Sequence, residues 1–183
     1  MLSRVLTLIL LGYLALACSA GGPALADDMP EDLVAVVDSS LAKVDGALTP
    51  HLGCLDGLVV SHAWELEDRA EYRSTDRQVV LRVPGTAPDL EFSLVHEIAH
   101  HLEFVCPSQL ELRPAFLAAQ GLAADTAWFE GDSWEATPSE MFATAVAEYV
   151  TGRSEENRPI ALSQETKSLV AEWALTGATS STG

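Results

Sequence analysis

The chain has 183 residues, 27 of them Asp or Glu against 10 Lys or Arg, for a formal net charge of −17. A surface this acidic repels phosphate backbones and anionic lipid headgroups, so the expected partners include no nucleic acid. A hydrophobic fraction of 48% in a chain of this length is enough to build one real core, and a monomer is expected.

The N-terminus reads MLSRVLTLILLGYLALACSAGGPALADD, with one Arg, an apolar run from Val5 to Ala17, then small residues and an acidic pair. That run is shorter than the roughly 20 residues a membrane span needs, and the pattern is that of a secretory signal over residues 1–26. Cleavage after Ala24-Leu25-Ala26 would leave a soluble chain starting at Asp27. Alternatively, Leu14-Ala15-Leu16-Ala17-Cys18 resembles a bacterial lipobox, which would make Cys18 a lipidated N-terminus. Both exits predict a secreted protein or an outer-leaflet lipoprotein of a bacterial cell envelope, touching membrane only through an anchor at Cys18. Behind the signal, residues 27–176 are expected to form a single domain and 177–183 a disordered tail.

Leu33, Val36, Val37, Leu41 and Val44 fall at helical spacing and predict a first amphipathic helix from Asp32 to about Leu48. Leu58–Ser61 and Gln78–Val83 are short, β-branched and bounded by turn residues, so they read as strands, with a polar segment around Tyr72 between them. Pro84-Gly85-Thr86-Ala87-Pro88 is a turn, and a helix is expected from about Leu90 to Val105, stopping before Pro107. Three more helices are expected, from Arg113 to about Leu122, Pro138 to Val150, and Ser163 to about Leu175. With Cys18 set aside, Cys54 and Cys106 form an even pair in a chain bound for an oxidising compartment, so a disulfide is expected. The fold class is therefore α+β, with a short mixed sheet and a C-terminal helical part.

Chemistry is concentrated in His96-Glu97-Ile98-Ala99-His100. At about 100° per residue the two histidines lie about 40° apart on one helix face, so both imidazoles can reach one metal ion. Glu97 lies about 60° from His100, near enough to take a proton from a metal-activated water without ligating the metal itself. Leu94, Val95, Ile98, Ala99, Leu102 and Val105 gather on the opposite side and would pack the helix inward. His51, His62 and His101 read as structural histidines. His101 points about 100° from His100.

A catalytic zinc site usually takes three protein ligands. Glu103 stands where the metzincin pattern HExxHxxGxxH has glycine, and Cys106 where it has the third histidine, which excludes that class. Cys106 stays open as a thiolate ligand, although the disulfide is the preferred reading. Glu140, Glu148, Glu135 and Asp132 are the carboxylate candidates. Thr137 to Glu140 also reads as a capping box, in which Glu140 would only cap its own helix. Against that, Glu140, Thr144, Glu148 and Thr151 make a polar stripe opposite Phe142, Val146, Tyr149 and Val150.

The segment Thr137-Pro138-Ser139-Glu140-Met141-Phe142-Ala143-Thr144-Ala145-Val146-Ala147-Glu148-Tyr149 resembles the helix that supplies the third ligand in gluzincins, notably small ones similar to the catalytic domain of anthrax lethal factor. The resemblance covers the two helices, about a third of the mature chain. It implies a zincin-like fold, Zn2+ held by His96, His100 and Glu140, and Glu97 as general base of a peptidase acting on a peptide or protein. Those relatives often carry a second Glu one turn after the ligand, and here that position is Thr144. The resemblance further implies that a substrate strand adds to an edge of the sheet, for which Gln78–Val83 is the candidate. Neither Tyr72 nor Tyr149 can be assigned as transition-state stabiliser. A catalytically inactive envelope or binding protein that keeps the fold is the alternative.

Overall fold

The structure, a computed structural model, describes residues 22–154 and 160–178. The signal's apolar run, Cys18 and the tail beyond residue 178 lie outside these residues. The described chain is an α+β domain with a four-stranded mixed sheet in the order β1-β2-β4-β3. The strands are β1 (Ala24–Leu25), β2 (Val59–Ala63), β3 (Ala70–Arg73) and β4 (Gln78–Arg82). β1, β2 and β4 run parallel, and β3 runs antiparallel to β4. Val79, Val80 and Leu81 are all buried, which is how a strand covered on both faces reads in sequence.

That topology corrects the expected substrate edge. Gln78–Val83 is not an edge, because β4 sits between β2 and β3; the free edge beside the histidine helix is β3. β3 falls in the polar segment around Tyr72, where only Ala70 and Tyr72 face inward between exposed Glu71 and Arg73, too short an alternation to predict a strand. Ala70 pairs with Leu81 and Tyr72 with Val79, and the Arg82 amide donates to the Arg69 carbonyl at 2.9 Å. In an antiparallel ladder that parity turns the amides and carbonyls of Ala70 and Tyr72 away from β4, toward the open edge.

Among the described residues five α-helices complete the domain: α1 (Glu31–Ala47), α2 (Ala87–Val105), α3 (Pro107–Ala119), α4 (Pro138–Thr151) and α5 (Gln164–Thr176). α2 begins three residues before its expected start, because Thr86 acts as N-cap, accepting from the Asp89 amide, and Pro88 fits the first turn. α3 begins at Pro107, six residues before its expected start, and ends at Ala119 instead of Leu122. Pro107 both ends α2 and occupies the first position of α3, and Pro114 is accommodated within α3. A short 3-10 segment, Thr49–Leu55, follows α1 where no element was expected.

α2 runs through the centre, packing chiefly on α4 and also on α1, β3 and β4. Leu94, Val95, Ile98, Ala99 and Leu102 are fully buried and join Val60, Val79, Leu81, Phe116, Phe142, Val146 and Trp173 in one core. The expected disulfide is present, Cys54 to Cys106 with Cα atoms 5.3 Å apart. It fastens the 3-10 segment to the C-cap of α2.

Candidate metal centre

α2 and α4 lie against each other, so residues in the middle of α2 meet the first turn of α4. The capping box that would have occupied Glu140 does not form. Thr137 makes no side-chain cap, and its hydroxyl donates to the Ser133 carbonyl at 2.9 Å. Glu140 is thereby free to point at α2.

It meets both histidines. Glu140 Oε2 lies 3.0 Å from His96 Nε2 and 3.4 Å from His100 Nε2, and the two Nε2 atoms are 3.2 Å apart. Two imidazoles and a carboxylate make the donor set of a catalytic zinc site. Tetrahedral zinc, with bonds of about 2.0–2.1 Å, places its donors roughly 3.3 Å apart, and the observed triangle fits that spacing. Three lone-pair donors facing one another at this distance need a cation or protons between them. The side chains of His96, His100 and Glu140 are 10%, 14% and 21% exposed, so the triangle is open on one side.

That side is a cleft of about 430 Å³ floored by α2 and the start of α4 and walled by β3. Glu97 lines it next to the triangle. Trp134 and Phe92 flank His96, with ring centroids 6.1 and 6.5 Å from the imidazole. Burial raises the pKa of Glu97; His96 and His100 act against that rise, Glu140 adds to it, and a hydrogen bond from the Tyr72 backbone amide opposes it. That amide belongs to the outward-facing set of β3. A carboxyl raised by burial sits closer to neutrality, where proton transfer in both directions is easiest.

Burial would also raise Glu140, but hydrogen bonds from His100 and His96 outweigh it and hold the carboxyl at about 2. For His100 burial acts downward, and the hydrogen bonds to Glu103 and Glu140 prevail, lifting the imidazole well above its usual range.

The other sequence candidates lie elsewhere. Cys106 is in the disulfide and supplies no thiolate. Glu148 accepts from Lys167 Nζ at 2.7 Å, and Glu135 and Asp132 are exposed outside the triangle. The expected polar stripe is broken, since Thr144 is buried with a hydroxyl that has no hydrogen-bond partner. His101 is fully buried between the Tyr72 hydroxyl and the Cys54 carbonyl, each at 2.9 Å, so neither it nor that hydroxyl serves the cleft. His51 stacks on Trp173 at 4.0 Å, and His62 is half-buried with an unpartnered Nδ1.

Sequence reading missed Glu103, which appeared there only as a glycine replacement. Its side chain is fully buried and lies 2.9 Å from His100 Nδ1. The signal was its position three residues after His100, on the same helix face. No protein-family model matches the chain, and no curated protein or solved structure is significantly similar to it, so the meaning of the site rests on its own geometry.

Proposed function

We propose that this chain is a zinc-dependent metallopeptidase of zincin type, with His96, His100 and Glu140 as metal ligands and Glu97 as general base. The observation that carries the reading is the triangle of Nε2, Nε2 and Oε2 atoms at 3.0–3.4 Å with Glu97 beside it in an open cleft. Zinc held there would supply Lewis acidity, polarising the scissile carbonyl and making water a stronger acid. Glu97 takes the proton of the attacking water and returns it to the leaving amine. Ala70 and the Tyr72 carbonyl offer backbone partners to an extended peptide laid along β3, as strand addition requires. The Tyr72 amide meanwhile holds Glu97, so one strand would align both substrate and base. The acidic surface favours neutral or basic peptides.

Metal analysis of wild type, His100→Ala and Glu140→Ala, paired with a broad peptide library, tests this. Wild type should hold one zinc and both variants should lose it. Glu97→Gln should keep zinc yet lose roughly 10²–10⁴-fold in hydrolysis. Full zinc in Glu140→Ala removes the third ligand from the proposal. Bound zinc with no cleavage, and no effect of Glu97→Gln, points instead to a binding protein.

A further inference from the structure

The Glu103 carboxylate is the most deeply buried acidic group beside the triangle, with a side chain 0% exposed. A carboxylate in such a place is costly unless donors converge on it. Three do. Trp128 Nε1 donates to Oε1 at 3.0 Å, Ser139 Oγ donates to Oε2 at 2.7 Å, and His100 Nδ1 lies 2.9 Å from Oε2. The indole can only donate, and with the hydroxyl it fixes the carboxylate as an acceptor, so the proton between His100 and Glu103 belongs on Nδ1.

The cradle is itself braced. The Ser139 amide donates to the Trp128 carbonyl at 3.0 Å, closing a ring of hydrogen bonds through Trp128, Glu103 and Ser139. Arg113 from α3 donates to the Glu103 carbonyl at 2.8 Å and lies 4.8 Å over the Trp128 ring. Ser139 directly precedes Glu140, so the same carboxylate touches one ligand and the neighbour of another. Thr144, one turn beyond Glu140 on α4, gives that ligand no such support, since its hydroxyl is unpartnered.

We infer that Glu103 is the positioning residue of the site, accepting the Nδ1 proton of His100 so that Nε2 presents its lone pair to the space shared with His96 and Glu140. The inference rests on the metal-centre reading above. A carboxylate behind a metal-bound imidazole fixes its tautomer and orientation and raises its basicity, and losing it typically weakens binding roughly 10- to 100-fold.

Zinc affinity by chelator competition, apo-protein melting and 15N-histidine NMR together test this on wild type, Glu103→Gln and Glu103→Asp. Gln fills the same space but offers one acceptor oxygen to three donors. It should bind zinc roughly 10- to 100-fold more weakly. Asp keeps the charge and should recover part of that loss, which a purely structural role in the apo fold would not produce. In the neutral ring of apo wild type, the His100 proton should reside on Nδ1. Wild-type zinc affinity in folded Glu103→Gln, or a neutral wild-type His100 ring that carries its proton on Nε2, overturns the inference. Should wild type take up no zinc at all, the metal-centre reading fails, and the tautomer still decides what Glu103 does to His100. Should both variants fail to fold, that wild-type spectrum alone decides it.

Discussion

Replacing both Cys54 and Cys106 by serine opens a loop spanning 52 positions, and its cost can be worked from that length. In the chain-entropy treatment a loop of about 52 residues removes about 14 cal/mol/K from the unfolded chain, roughly 4 kcal/mol at 25 °C. With a urea slope of about 2 kcal/mol/M, the unfolding midpoint of the metal-free double variant should fall by roughly 2 M. Zinc affinity should change little, because the donors sit on α2 and α4 and Glu103 is braced by hydrogen bonds from Trp128, Ser139 and Arg113. Urea titration of both proteins, with zinc competition on the same samples, measures the two effects. A midpoint shift equivalent to less than about 1 kcal/mol would refute the loop-closure reasoning. It would mean that residual structure in the unfolded chain already restrains that loop.

Ala70→Pro removes an amide that faces the open edge and should leave the β3–β4 ladder intact, raising KM for peptides roughly tenfold, whereas Glu71→Pro strikes the ladder itself and should lower stability; equal effects of the two on melting would contradict the assigned parity. Glu148→Gln should retain full zinc and lose at most about 1 kcal/mol of stability in urea, since its partner is Lys167 and the pair is partly exposed. Burial lowers the pKa of His51 from its usual 6.5, and its hydrogen bond to the Trp173 carbonyl opposes this only in part. The folded state therefore prefers the neutral ring, and the stability contribution is complete above pH 6.5 and lost as pH falls toward the lowered value. Urea midpoints between about pH 7 and 5 should fall more steeply for wild type than for His51→Gln.

Much of the site was legible because it is periodic. His96, Glu97 and His100 are fixed relative to one another by helix geometry alone, and the apolar face of Leu94, Val95, Ile98 and Leu102 shows which way the helix turns. Glu140 was one of several carboxylate candidates and was singled out through a resemblance, since its place beside the histidines depends on how α2 and α4 cross, a tertiary fact. The edge strand was misplaced for a related reason. Gln78–Arg82 is the most strand-like segment, and such continuous burial marks the interior of a sheet, while the true edge has only Ala70 and Tyr72 turned inward. Glu103 was read as a departure from another family's glycine, because its role depends on Trp128 and Ser139, which are distant in sequence.

β1 bears on which of the two expected N-terminal cleavages the fold would tolerate. The Ala24 amide donates to the Leu58 carbonyl and the Ala26 amide to the Val60 carbonyl, both at 2.9 Å. A peptidase cutting after Ala26 would carry that strand away and strip the Leu58 and Val60 carbonyls of their partners. The bared border would be open to a strand from another molecule, an aggregation hazard. Acylation at Cys18 would keep the strand, with five residues between lipid and sheet. That would be a leash of at most about 20 Å, short enough to hold an acylated domain close to the bilayer surface.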